Sequence, residues 1–323
     1  MKLVVFTFAH NEEKTIEKVL NGVPKKIDGI SEITKLVIDD GSTDSTAKVA
    51  KKAGAHVIKN GNQKRLSYSF QVAVDYALEN GADIAVNIDA DLQMNPTDIP
   101  LLVAPIVEGR ADFVSADRFS DPETGKFRRP ENMPFGKYLG NLMGAFIVSK
   151  LSGKRFNDVT CGFRAYNRKA LLNVNINTKD TYTQESFQIL ATKKLNILQI
   201  PVIVKYYKGR KSRVVTSVFK YISRSSLNII RAFRDYAPLR FFSILGSLFF
   251  VPGLLLMLFT GIHWLNTGTF TPYKFVGILG IYAASLGILT YLFGIVADML
   301  DRVIHNQEKI LYYLKSTKYD KKK

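Results

Sequence analysis

Ile84-Ala85-Val86-Asn87-Ile88-Asp89-Ala90-Asp91-Leu92-Gln93-Met94-Asn95 is the stretch whose reading decides the fold. Its first five residues, Ile84 to Ile88, make a mostly apolar run with the length and composition of a buried strand. The run ends in two carboxylates one residue apart, Asp89 and Asp91, followed by the amide of Gln93. Two acids crowded at the end of a buried strand repel each other and lose hydration unless a cation sits between them. Oxygen ligands of this kind suit Mg2+ or Mn2+, hard cations that keep open positions for phosphate oxygens. The competing reading is a helix start, because Asn95-Pro96 has the form of a cap followed by a first-turn proline. Spacing alone leaves the two readings level.

The flanking sequence separates them. Leu3 to Phe8 reads as a first strand, Glu12 to Leu20 as a helix, and Ile33 to Ile38 as a second strand that ends in Asp39-Asp40-Gly41-Ser42-Thr43-Asp44. A helix over Ser45 to Ala53, a strand over His56 to Lys59 and a helix over Leu66 to Glu79 lead back to Ile84. Such alternation predicts an α/β fold, a parallel sheet with helices on both faces, which binds ligands at the carboxyl ends of its strands. Both acidic turns fall at those ends, and this favours a metal and nucleotide site over a cap. No Gly-x-Gly-x-x-Gly follows the first strand and no Walker lysine loop occurs, which disfavours dinucleotide oxidoreductases and phosphate-loop enzymes.

Charge and hydropathy divide the chain. Of 323 residues, 45 are Lys or Arg against 28 Asp or Glu, a formal charge of +17 that calls for an anionic partner. Nucleic acid ranks last among those partners, because no helix-turn-helix, zinc-finger or aromatic RNA-binding pattern is present. Cys161 is the sole cysteine, which excludes a disulfide within the chain and fits a reducing compartment. Residues 241 to 259 and 275 to 297 carry no charge and, as helices, would span roughly 28 to 35 Å, the thickness of a bilayer core. Trp264 and Tyr273 between them are placed like interfacial anchors, and the basic outer flanks put residues 1 to 235 and the tail on the cytoplasmic side of a cell membrane. The expected divisions are 1–213, an interfacial amphipathic segment 214–238, a two-helix transmembrane hairpin 239–297, and a juxtamembrane helix with a Lys-rich tail, 298–323.

Several ordered strings together resemble one family. Phe8-Ala9-His10-Asn11-Glu12-Glu13, Val37-Ile38-Asp39-Asp40-Gly41-Ser42-Thr43-Asp44 and Asp89-Ala90-Asp91 are similar to the inverting nucleotide-sugar glycosyltransferases of GT-A fold, family 2. Asp158-Val159-Thr160-Cys161-Gly162-Phe163-Arg164-Ala165-Tyr166 and Tyr182-Thr183-Gln184-Glu185 resemble the branch that makes dolichyl- or polyprenyl-phosphate sugars. The resemblance implies a Rossmann-like, mixed but mainly parallel sheet over about the first 235 residues. It implies that Ala9, Asn11, Glu12, Asp39, Asp40 and Asp89 line the nucleotide, and that Asp89, Asp91 and Gln93 hold Mg2+ or Mn2+ against the donor pyrophosphate, with Asp91 and Arg118 counted as catalytic. Arg118, Lys137, Asn141, Arg210 and Lys211 would meet the acceptor or pyrophosphate, and Gly162 and Glu185 the sugar. The helix expected over Tyr138 to Lys150 serves either an acceptor groove or core packing.

The implied reaction moves one sugar, with inversion, from UDP-GlcNAc, UDP-glucose or GDP-mannose to dolichyl or polyprenyl phosphate, with a weak preference for uridine. A lipid phosphate is already ionised at neutral pH and attacks without a strong general base, so His10 is assigned no proton transfer. A processive polysaccharide synthase would carry Gln-x-x-Arg-Trp on this domain, whereas the sole tryptophan is Trp264. A neutral lipid hydroxyl would need a carboxylate base, for which Asp158 or Glu185 are available. A non-enzymatic nucleotide or lipid binder has no use for the whole set. Membrane lipids are the other expected partner, and self-association stays open.

Overall fold

Strand β1 (Lys2–Ala9) shows why this sequence makes a sheet covered on both faces: Val4 and Phe6 enter one apolar cluster while Leu3 and Val5 enter another. The computed structural model describes residues 1–61, 66–176, 182–206, 234 and 237–320. β1 pairs in parallel with β2 (Glu32–Asp39) on one side and β4 (Ile84–Asn87) on the other, and β3 (His56–Lys59) follows β2. β5 (Phe113–Asp117) and β7 (Ile197–Pro201) are parallel to each other. Between β4 and β5 lies β6 (Arg164–Asn167), antiparallel to both, so the order is β3-β2-β1-β4-β6-β5-β7. β6 has only four residues and starts on an arginine, which hides it from a search for apolar runs.

Helices α1 (Ile16–Gly22), α2 (Thr46–Lys52), α3 (Leu66–Glu79) and α4 (Ile99–Val107) link the parallel strands. α5 (Phe135–Ser152), α6 (Arg168–Asn173) and α7 (Thr183–Thr192) belong to the second half. An aromatic column fixes α3 to the sheet: Phe70 stacks on Tyr182 with centroids 4.3 Å apart and meets Phe6 at 6.1 Å. Truncating such a fully buried ring to alanine costs about 3–5 kcal/mol.

Two longer helices follow, α8 (Pro238–Thr267) and α9 (Lys274–Asp320), both long and apolar enough to cross a membrane. The expected boundary at 298 falls inside α9, which runs on without a break. The chain divides into one unit of Met1–Ile222 with Leu311–Lys323 and a second of Ser223–Ile310. Within the first, Tyr319 is 3% exposed in the core cluster that contains α3 and α6, and Arg168 pairs with Asp320 at 3.1 Å. Within the second, α8 and α9 meet through glycines: a Cβ on Gly280 would lie 2.9 Å from the Gly253 carbonyl oxygen, and one on Gly287 2.7 Å from the Phe250 nitrogen. The close approach replaces side-chain packing by backbone contact, the habit of helices that associate in lipid. Most of the amphipathic segment expected over 214–238 lies outside the described residues.

Candidate active site

The first half of the site is a laced pair of loops at the carboxyl ends of β1 and β2. Asn11 adopts φ +55°, and its backbone N–H donates to Ser42 Oγ (3.0 Å) while its Oδ1 accepts from the Thr43 N–H (2.8 Å). The Glu12 N–H donates to Thr46 Oγ1 (2.9 Å), and Glu13 Oε2 accepts from the Ser45 N–H (3.0 Å). Asp39, almost wholly buried, accepts from the Ser42 N–H (2.9 Å), and so closes the turn after β2 on a carboxylate. Ala9 lies opposite Asp39 in the β1–β2 register. Asp40 points its carboxylate to Ser69 of α3, which Asn60 also engages. A strained, over-determined Asn11 of this kind marks a place where the backbone is held for a purpose.

The second half begins where β4 ends. Asp91 Oδ1 accepts from the Gln93 N–H (3.0 Å) across Leu92, a bulky residue at φ +60°. Ala90 packs with Ala9 and Ile16, which joins this turn to the loop after β1. Asp89 keeps a partial opening to solvent, yet its dense surroundings, and after them the Asp91 charge, lift its carboxyl to about 6; Arg118, Lys137 and Arg164 pull the other way. No described residue donates a hydrogen bond to that carboxylate. Gly162 leaves it room, since a Cβ there would stand 2.8 Å from Asp89 Oδ1. Among the described residues no three His, Cys, Asp or Glu side chains cluster as a closed metal cage. Two acids with an amide and open positions are the donor set that a hard divalent cation shared with a pyrophosphate uses.

Around the acids stands a cationic group built on a buried ion pair. Arg118 uses four of its five N–H donors inside the protein: Nε to Asp158 Oδ2 (2.6 Å), Nη2 to Asp158 Oδ1 (2.8 Å) and Thr160 Oγ1 (2.6 Å), Nη1 to the Tyr206 hydroxyl (3.0 Å). Its charge holds the Asp158 carboxyl below the ordinary carboxylate range against burial, which would raise it. The Tyr206 phenol is pushed up to about 12, chiefly by burial. Lys137 of α5 extends over the Tyr206 ring, Nζ 4.9 Å from the centroid, where burial and then Arg118 lower its pKa while Asp89 and Asp91 raise it. One helical turn on, Asn141 is buried; its Oδ1 accepts from Thr160 Oγ1 (2.6 Å), and its Nδ2 has no partner among the described residues.

The floor of this half rests on Arg164, fully buried without a described acidic partner. It donates to the carbonyls of Cys161, Val159 and Thr183 and to Ser186 Oγ, with its guanidinium carbon 4.8 Å from the Phe187 ring centroid. Those bonds tie the 159–161 loop to the start of α7. Asn87 fixes the same loop by donating to the Gly162 carbonyl (2.8 Å) and to the Tyr182 hydroxyl. Glu185 lies in the first turn of α7. Sequence reading assigned no role to Asn87, Thr160, Arg164 or Tyr206; the Asp158 to Tyr166 string was the signal for two of them. Arg210 and Lys211 lie outside the described residues.

The mixed sheet, with acidic turns at its carboxyl ends and a cationic group facing them, has the architecture of a GT-A glycosyltransferase. The family model described as Glycosyl transferase family 2 matches residues 4–174, and the chain belongs to that family. It is 32% identical over 226 residues, 64% of this chain and 86% of the relative, to UDP-N-acetylglucosamine--dolichyl-phosphate N-acetylglucosaminyltransferase of Methanococcus voltae. It is 25% identical over 302 residues, 89% of this chain and 87% of the relative, to undecaprenyl-phosphate 4-deoxy-4-formamido-L-arabinose transferase of Proteus mirabilis. A structure of glucosyl-3-phosphoglycerate synthase from Mycobacterium tuberculosis, with Mn2+, UDP-glucose and phosphoglyceric acid, superposes with a TM-score of 0.54 at 20% identity. That alignment covers 71% of this chain and 79% of the other, and it speaks to the fold.

Proposed function

We propose that the protein is a membrane-bound transferase that moves a single sugar, with inversion, from a nucleoside diphosphate sugar to dolichyl or polyprenyl phosphate. The observation that carries this is the crowding of Asp89 and Asp91 at the end of β4, which lifts the Asp89 carboxyl to about 6, opposite a lysine and a buried amide nitrogen that has no partner among the described residues, one helical turn apart. Relatives named for dolichyl-phosphate and undecaprenyl-phosphate acceptors support the same reading, as do two helices able to cross a membrane.

Asp89, Asp91 and Gln93 would hold Mg2+ or Mn2+, which when bound offsets the charge that develops on the leaving diphosphate. Asn11, Glu12, Asp39 and Asp40 form the nucleotide wall. Lys137 Nζ and Asn141 Nδ2 present a cation and a donor to the lipid phosphate, while Arg118 keeps one N–H unused among the described residues and sets the positions of Asp158, Thr160 and Tyr206. The phosphate oxygen bonds to the anomeric carbon as the bond from that carbon to the diphosphate oxygen breaks, and the electron pair leaves with the nucleoside diphosphate. No proton has to move. Asp158, one of the two acids that a hydroxyl acceptor could recruit as its base, is committed to Arg118 and held ionised, which leaves Glu185 for that role and supports an acceptor that is already an anion.

The test uses full-length protein in nanodiscs with radiolabelled UDP-GlcNAc, UDP-glucose and GDP-mannose, offered with polyprenyl phosphate or the unphosphorylated polyprenol. Transfer to the phosphate alone, abolished by chelator, is the expected result. Equal use of the free alcohol, or full activity in excess chelator, overturns it.

A further inference from the structure

Helix α5 is apolar on both sides. Toward the domain it buries Asn141, Ala145 and Val148; away from it Phe135 is 64%, Leu139 44%, Met143 38% and Phe146 70% exposed. At about 100° per residue those four fall within an arc of about 80°, the arc where a helix facing water carries polar residues. Lys150 is the one charged side chain on that arc, at its far end. Phe127, 51% exposed and stacked on Phe119 at 5.9 Å, extends the patch beside the start of the helix. There Arg129 places its guanidinium 5.8 Å from the rings of both Phe135 and Tyr138. The neighbouring loop adds Lys126 and Arg128, the latter paired with Asp121 at 3.5 Å, and two exposed acids, Glu123 and Glu131, so the cations that bear on the patch are Arg129 at its start and Lys150 at its far end.

We infer that this outward face of α5 docks on an anionic bilayer surface, with Phe135, Leu139, Met143 and Phe146 among the lipid headgroups and Arg129 and Lys150 at phosphate level. An apolar stripe with cations at its ends matches the chemistry of that interface, where apolar burial and attraction to anionic lipid add. The same chain carries two helices able to cross a membrane, so the bilayer is tethered to the domain and needs only a weak additional contact. The +17 charge of the chain favours the anionic leaflet. This rests on the reading of the chain as membrane-bound; the quenching experiment is independent of the acceptor, and the transfer experiment is read only where the parent protein uses polyprenyl phosphate.

Cys161 is buried, its thiol pushed up to about 12 chiefly by burial, so a cysteine added at the surface takes a fluorophore selectively. Full-length Phe146→Cys and, as control, Lys51→Cys on the exposed side of α2 are labelled and reconstituted in nanodiscs of phosphatidylcholine and phosphatidylglycerol, with or without spin-labelled lipid. Spin-labelled lipid should quench the probe at 146 at least about twofold and leave the probe at 51 unchanged. A probe at 146 that stays unquenched in protein retained by the nanodiscs overturns the inference, as does self-quenching between copies, which would make the face a contact between chains. Failure of the protein to enter nanodiscs, read by flotation, instead overturns the membrane reading itself. As a second arm, the Met143→Glu, Phe146→Glu double variant should lose about tenfold in transfer to long-chain polyprenyl phosphate in anionic nanodiscs and keep its activity on a short, soluble prenyl phosphate in detergent. Equal activity of variant and parent on both acceptors overturns the docking role.

Discussion

The acidic turn after β4 and the cationic group around Arg118 treat charge in opposite ways. Asp89 has no described donor and its carboxyl is lifted to about 6, whereas Asp158 is held below its ordinary range by a bidentate arginine. On the proposed reading the first half would take a cation from outside; the other carries its counter-charge within the protein. By the same proposal the buried Arg118–Asp158 pair is scaffolding, and Asp89, Lys137 and the Asn141 amide are the groups that would meet substrate.

The largest break in this contrast comes from the uncompensated side. Asp91→Asn removes charge without volume and should reduce transfer at least about a hundred- to a thousandfold, the scale of losing one preorganised electrostatic contact to a leaving group. Its melting temperature should stay close to the parent's, because the amide oxygen can still accept from the Gln93 N–H; a thermal melt beside transfer kinetics checks both, and isothermal titration with Mn2+ reads the metal site. Undiminished transfer would remove the acids from the chemistry.

On the compensated side the same kind of change should strike stability first. Asp158→Asn leaves the Arg118 guanidinium buried without its anion, a loss of about 3–5 kcal/mol, seen as a lowered midpoint in denaturant. The sign with pH follows from the depressed carboxyl: its contribution is present above the ordinary 3.8 and is lost as pH falls through the lower folded-state value. The variant should lack that acid-sensitive component. If Asp158→Asn unfolds like the parent but fails in catalysis, the pair belongs to the reaction and not to the scaffold.

Lys137→Met sharpens the comparison at its centre. Replacing the ammonium by an apolar stem of similar length should cut catalytic efficiency with polyprenyl phosphate roughly ten- to a hundredfold, about 1.5–3 kcal/mol for a charge-assisted contact. Donor affinity should change less than the acceptor's KM; an equal loss in both would place Lys137 on the pyrophosphate.

The contrast also explains what was legible in the sequence. Asp39-Asp40 and Asp89-x-Asp91 stand out because acids at the ends of apolar strands are chemically costly, and strand–helix alternation put both at one edge. β6 escaped notice because it is short and antiparallel, and its leading Arg164 is satisfied by the nearby carbonyls of Val159 and Cys161 together with Thr183, Ser186 and the Phe187 ring of the next helix. Arg118 was visible as a cation after β5, but its engagement depends on Asp158, forty residues on, and Tyr206, eighty-eight residues on. The glycines of α8 and α9 read simply as apolar residues until the helices meet.

Asn141 gives the smallest expected effect and the finest test. Its Nδ2 is buried with no partner among the described residues, although its Oδ1 accepts from Thr160 Oγ1. A buried donor left unmet costs stability, about 1–3 kcal/mol, and that cost is recovered only if a substrate oxygen takes the hydrogen bond. Asn141→Ala removes both the bond and the penalty, so its melting temperature should move by no more than a few degrees. If the amide serves the lipid phosphate, catalytic efficiency falls about three- to tenfold, the worth of one hydrogen bond, with donor affinity unchanged. If the unmet donor is a packing fault alone, transfer stays at the parent level. In that case Lys137 is left as the described side chain carrying the acceptor, and the spare capacity of the cationic half shrinks to one charge.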